Sequence, residues 1–463
     1  MSWYKEILYN LPEVAPPTQR KLSFKERMKW TIVVLVLFFI LGLIPLFGLG
    51  QNALQQFQIL SIILGASFGS IISLGIGPIV TASIVLQLLN GSGLVKFDLT
   101  THDGKRNFQG VQKLLSIFFI LFEGAIYVFM GGLAPPEQLV GTGSYFTLQL
   151  LLVFQLFLGG LMIMFMDEVV SKWGFGSGIS LFIAAGVSQS IFIRALSPLP
   201  SPNNPEIMTG AIPALFQSLA RGDPQTAILM LSTVLSTVII FVIAVYAQSM
   251  KVEIPLSFGR IRGHGIRWPL SFVYTSNIPV ILISALIANI QLWAHLLQRW
   301  GHPWLGTFVG NTPATGFVSW IHSPDVVGKL IRGSLTMSDI WHSAVYLVFL
   351  IGGAVVFSWF WVQTSGMDAR SQAKQIMRSG LQIPGFRKDE RVLERLLDRY
   401  ILPLTVMGAI VVGVLAGLAD ISGALTNGTG LLLTVMIIYR LYEDIARQHL
   451  MDMNPMMRKF MGG

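Results

Sequence analysis

QNALQQFQILSIILGASFGS (51–70) runs directly into IISLGIGPIVTASIVLQLLN (71–90), and these two blocks decide the fold. The second block is apolar throughout and has the length of about 20 residues that a membrane-crossing helix needs. The first is apolar at Leu54, Phe57, Leu60, Ile62 and Ile63 but is broken by Gln51, Gln55, Gln56, Gln58 and Ser61. It cannot cross the bilayer again beside a complete span. Irregular backbone at membrane depth has to be covered by protein or line a cavity. Gly65 and Gly69 supply hinges just before the span. The pair therefore reads as a half-helix, roughly 53–68, that re-enters the bundle from the outer side, followed by a full span. The alternative is a helix lying on the outer leaflet.

Outward from this point, the rest of the chain has the same solvent. Of 463 residues, 53% are hydrophobic and 12% are charged, about half the charge of a soluble domain. Ten spans follow, at 30–49, 71–90, 112–133, 146–167, 178–196, 226–248, 274–297, 339–362, 401–419 and 429–446. The fifth contains Gly and Ser and the tenth Gly and Thr, which suits burial inside a bundle. The formal net charge is +9, and its distribution tests the count. With the N-terminus inside, 27 of the 32 Lys and Arg fall on the inner side, leaving Arg194, Arg221, Arg299, Lys329 and Arg332 outside. That asymmetry is the positive-inside pattern, and it puts both termini in the cytoplasm of a multi-pass cell-membrane protein.

Ten spans divide at the proline-rich loop 197–225. Five is odd, so the second half must begin on the opposite side from the first. This predicts two inverted halves, 30–196 and 226–446, with the functional site where they meet. Residues 1–29 form a cytoplasmic segment in which Trp3, Ile7, Leu8 and Leu11 share a helical face suited to the membrane surface. Residues 447–463 form a cytoplasmic tail.

Enzyme chemistry finds little support. There is no cysteine and no phosphate-binding loop. GFGSG at 174–178 lacks the Lys-Ser/Thr ending and reads as a tight inner turn. The seven histidines show no ligand spacing. No cofactor or metal is expected. An ion-coupled secondary transporter of inverted repeats is the alternative class, but it needs ionisable groups at mid-membrane. Glu123 is one, while Asp167, Glu168, Glu253 and Asp420 fall at span ends.

Several stretches, in order along both halves, resemble the SecY family. They are SLGIGPIVTASIVLQLL (73–89), DEVVSKWGFGSGISLFIAAGVSQ (167–189), VEIPLSFGRIRG (252–263), SNIPVILISALIANIQLW (276–293), PLTVMG (403–408) and GTGLLLTVMIIYRLYE (428–443). The details are similar to the archaeal type, close to the alpha subunit of the eukaryotic Sec translocon. The resemblance implies an all-α integral membrane protein: ten transmembrane helices in two inverted five-helix halves, a re-entrant plug half-helix and a central hourglass pore. It implies a channel that passes unfolded polypeptides and releases transmembrane segments sideways into lipid. The external loop 297–338 matches no known pattern.

By the same resemblance, Ile76, Val80, Ile179, Ile183, Ile281 and Leu433 form the pore ring. Ile76 and Val80 are four apart on one helix face, as are Ile179 and Ile183. A narrow apolar ring gates by dewetting, although aliphatic residues at this spacing are usually plain core. The 53–68 half-helix, with Leu54, Phe57, Leu60, Ile62 and Ile63, would be the plug. Thr81, Glu123 and Asn289 match a polar cluster at the lateral gate; otherwise they are a packing bond between helices. Arg260, Arg262 and Arg387 match the ribosome-docking face, where rRNA phosphates would attract them, against a reading as positive-inside charge alone. The implied partners are a clamp subunit of the SecE or gamma type, a small beta-type subunit, the ribosome, signal sequences with nascent chains, and lipid.

Overall fold

The computed structural model describes residues 10–18, 22–50, 69–91, 94–95, 97, 101–200, 207–258, 265–275, 278–309, 312–378, 381–382 and 389–453. Helices occupy each expected stretch: α1 (Phe24–Leu43), α2 (Gly77–Gly91), α3 (His102–Phe129), α4 (Gly143–Trp173), α5 (Gly178–Leu196), α6 (Pro224–Ser249), α7 (Ile278–Arg299), α8 (Met337–Thr364), α9 (Glu390–Ile421) and α10 (Gly428–Met453). Seven of these, α3 to α9, are long and apolar enough to cross a membrane, and α2 is a shorter apolar helix. Two small antiparallel sheets and several short helices lie between them.

Local chemistry sets the helix ends. Ser23, Thr101, Asp223 and Asp389 each accept a hydrogen bond from a first-turn amide, at α1, α3, α6 and α9. α1 stops at Leu43, earlier than the expected 49, because Ile44 precedes Pro45 and such a residue is pushed out of the helical region; its ψ is 107°. α9 begins at Glu390, well before the expected 401, and carries Pro403 inside it. Its added turns bear Arg391, Arg395 and Arg399, which hydropathy alone cannot see as helix.

The second expected span is also not one helix. Residues 71–76 form hydrogen-bonded turns, and Gly75 is left-handed at φ 55°. Ile76 therefore precedes α2, and its carbonyl accepts from Ile79 and Val80, both at 3.1 Å. Gly69 turns at φ 84° and Ser70 pairs with Pro45, which ties the start of this stretch to the end of α1. The half-helix at 53–68, and with it all five plug residues, lies outside the described residues, as do Trp3, Ile7 and Leu8.

The loops that the charge pattern places inside are folded where described. β1 (Lys251–Phe258) pairs with β2 (Gly265–Ser271), and Ser257 and Phe258 pair with β5 (Leu381–Gln382). Glu253 is consequently a strand residue, bonded to Arg267 at 2.9 Å, and not the end of a span. Ile254 and Leu270 of this hairpin share a core with Ala373 and Ile376 of the short helix Ala369–Arg378 and with Leu393, Leu397 and Ile401 of α9. On the outer side, β3 (Phe308–Val309) and β4 (Thr312–Pro313) form a small hairpin, held to α7 by Gln298, whose Oε1 accepts from the Phe308 amide at 2.5 Å. The expected outer loop 197–225 contains the helix Ala211–Arg221.

Candidate functional site

The two halves meet in one large apolar cluster. Ile76, Val80, Ile183 and Leu433 are buried in it, and Ile179 and Ile281 are partly buried and packed against it. The six come from four places in the chain: the head of α2, the first turns of α5, the start of α7 and the start of α10. α5 and α10 are in direct contact, since a Cβ built on Gly430 would lie 3.3 Å from Cγ2 of Val187. Val80, Ile179 and Ile281 also line a cavity of about 1130 Å³.

The lining of that cavity mixes Val80, Ile179 and Ile281 with the amides of Gln87, Gln109, Gln112 and Gln375, the cations Lys105, Lys374, Arg378 and Arg440, and the carboxyl of Asp444. The cations belong to stretches that the charge pattern places inside. A cavity with more cations than acids, rich in amides and with aliphatic side chains in its wall, suits an extended peptide without needing directional bonds to its side chains. The glutamines were not singled out from the sequence. Their one visible signal was a concentration near inner span ends.

The predicted polar cluster is assembled. Asn289 on α7 donates through Nδ2 to Thr81 Oγ1 on α2 at 3.1 Å, and Glu123 on α3 shares a hydrogen bond with the Thr81 side chain. Thr81 also donates to its own helix, at the Gly77 carbonyl, 3.0 Å away. Three helices from both halves thus touch through one hydroxyl. Arg260, Arg262 and Arg387 lie outside the described residues, but the chain enters their two segments from β1 and β5, which are paired.

Residues 13–15 are bonded to the last turns of α4. Val14 donates its amide to Glu168 Oε2 at 2.8 Å, Trp173 Nε1 donates to the Ala15 carbonyl at 3.0 Å, and Lys172 reaches Glu13 at 2.5 Å. The hydrogen bond from Lys172 holds the Glu13 carboxyl below its ordinary range, a modest effect at an exposed site. At the outer loop, burial lowers the His322 pKa, with His342 nearby adding to it. Two acids set aside as span-end residues, Asp167 and Asp420, each accept a backbone amide from the helix that follows. GFGSG at 174–178 is a turn, with Gly176 at φ 71°.

The comparisons agree with this geometry. A family model described as SecY matches residues 70–442. The protein translocase subunit SecY of Methanothermobacter thermautotrophicus is 46% identical over 464 residues, covering 99% of this chain and 98% of its own. A solved structure described as the structure of a protein conducting channel superposes with a TM-score of 0.82 at 42% identity, over 96% of this chain and 97% of its own. Sec61 in the canine ribosome-channel complex from the endoplasmic reticulum gives 0.79 at 41% identity, over 96% and 97% of the two chains. Identity of this size over nearly the whole length of both partners means that the chain belongs to the SecY family.

Proposed function

We infer that this chain is the pore-forming subunit of a Sec protein-translocation channel, passing unfolded polypeptide across the membrane and letting apolar segments leave sideways into lipid. One observation carries the reading: a large cavity lined by glutamine amides and cations also has Val80, Ile179 and Ile281 in its wall, and these three pack with Ile76, Ile183 and Leu433 in one apolar cluster. The six are the ring through which the chain threads. The Thr81–Glu123–Asn289 clasp is the seam of the lateral gate. It spans helices of both halves with few bonds, so it holds weakly and parts without large cost. Residues 53–68 act as the plug on the outer side, a role supported by their mixed glutamine and aliphatic character.

Ten spans in two inverted halves, with both termini in the cytoplasm of the cell membrane, follow from the charge asymmetry. The inner sheet and the short helix Ala369–Arg378 share one core. Arg260, Arg262 and Arg387 belong in sequence to the two segments that follow the paired strands β1 and β5, and we assign them the ribosome-docking role. The structural relative Sec61 is described in complex with one. A clamp subunit of the SecE or gamma type and a small beta-type subunit complete the channel. The chain supplies no catalytic step, and translation provides the drive.

Reconstitution tests this reading. Proteoliposomes holding the full channel and programmed ribosomes should accumulate protease-protected polypeptide. Saturable uptake of a small solute with no protected polypeptide would favour the coupled carrier and contradict the channel.

A further inference from the structure

The two halves repeat one corner. In the first half, α4 turns into α5 through residues 174–177, and Asp167 on α4 accepts the Ile179 amide at Oδ1, 2.9 Å away, with the Gly178 amide also bonded to it. In the second half, α9 turns into α10 through residues 422–427, and Asp420 on α9 accepts the Gly428 amide at Oδ1, 2.5 Å away. Each carboxylate satisfies amides that a helix start leaves open and sits at the positive end of that helix. Each corner is also shut by a glycine. A Cβ on Gly178 would fall 2.5 Å from the Asp167 Cα, and one on Gly428 would fall 2.0 Å from the Ala416 carbonyl oxygen. Both first turns are thereby packed closely against the preceding helix.

The fourth-to-fifth and ninth-to-tenth corners are equivalent places in an inverted repeat. The spacing beyond them is equal too. Ile183 lies five residues after Gly178 and Leu433 lies five residues after Gly428, a rise of about 7.5 Å in either helix. Five spans apart in an alternating bundle, α5 and α10 run antiparallel. The contact of Gly430 with Val187 then sets Leu433 level with Ala184, beside Ile183. The two ring residues reach the same depth because each is measured from its own clamped corner, one approached from inside and the other from outside.

We propose that Asp167 and Asp420 are paired positioning residues, one per half, that fix the depth of Ile183 and Leu433 and so keep the constriction shut. This rests on the ring reading given above. Asp420 has a further hold: Tyr346 of α8 donates its hydroxyl to Oδ2 at 2.6 Å, which links the second corner to a third helix. Loss of either carboxylate frees one ring helix to shift along its axis. The aliphatic side chains then no longer meet at one level.

The test uses the complete channel with its partner subunits in planar bilayers, at matched amounts of folded complex. Asp167→Ala and Asp420→Ala should each raise resting ion leak about tenfold, the scale of one lost helix cap. Asp167→Asn and Asp420→Asn keep one carbonyl oxygen for the helix-start amide and should bring the leak well below the alanine level, to about threefold for Asp420→Asn, which gives up the bond from Tyr346. A general loss of stability alone would lower the yield of folded channel and leave the leak per folded channel at the parent level. Tyr346→Phe removes one hydrogen bond and little packing, so it provides a milder variant should the alanine forms fail to assemble; it should raise leak about threefold. Ile183→Gly serves as the ring control. A leaky Ile183→Gly with tight Asp and Tyr variants would overturn the positioning role and leave the ring standing. A tight Ile183→Gly would remove the ring, and the positioning role with it. Leaky Asp variants beside a tight Ile183→Gly would sever the corners from the constriction.

Discussion

Thr81 has one proton to give and several neighbours that want it. Its hydroxyl lies 3.0 Å from the Gly77 carbonyl, shares a bond with Glu123, and accepts from Asn289 at 3.1 Å. A hydroxyl donates once, so the Gly77 carbonyl and the Glu123 carboxyl compete for it. The Asn289 contact does not compete, since it uses a lone pair, and it is the hydrogen bond of the cluster that ties α7 to α2. Bonds of this kind average roughly 0.6 kcal/mol in a membrane interior. That strength suits a seam that must open. Asn289→Leu is expected to shift the closed–open balance about threefold toward open and to let weaker signal sequences through. An unchanged ranking of weak signals in a translocation assay would remove the cluster from the gate.

At the scale of elements, deletion of residues 55–67 is expected to raise ion leak in planar bilayers, because the outer of two barriers is gone while the ring remains. Unchanged conductance would count against the plug. How much of the architecture was legible beforehand depends on what each element buries. The stretches at 146–167 and 226–248 leave much of their apolar length exposed on the outside of the bundle, and hydropathy located them to within a few residues of α4 and α6. α9 was cut short because its first turns bury Leu393 and Leu397 against the inner sheet and show charge elsewhere. Ile76 was placed on a helix that Gly75 and Pro78 delay by one residue. The β1–β2 hairpin was read as loop, since Pro255 and Pro269 break its alternation and face each other's strand at Glu253–Pro269 and Pro255–Arg267. The polar cluster was legible only by family resemblance; three polar residues 208 positions apart at most have no local signature. Asp167 and Asp420 carried a signal that went unused, namely an acid near a span end, then a glycine, then an aliphatic five residues on.

Across the whole molecule, the cavity wall carries cations and glutamine amides beside Val80, Ile179 and Ile281, which pack with the aliphatic cluster of the bundle. In the proposed function a ribosome supplies the chain that enters this cavity. Docking would rest on phosphate contacts, which depend on salt. Arg387→Glu is expected to weaken ribosome binding and to reduce the slope of log affinity against log salt by about 1, measured by co-sedimentation across a salt series. An unaltered slope would exclude Arg387 from the docking face.

The sequence contains no cysteine, which gives the most direct measurement a clean background. A translocating chain stalled with a single cysteine at mid-membrane should form disulfides with a cysteine placed in turn at positions 76, 80, 179, 183, 281 and 433, and none with one at the exposed positions 239 or 348. Disulfides at one or two of the six alone, or as many at 239 and 348, would mean that these side chains do not surround a common path.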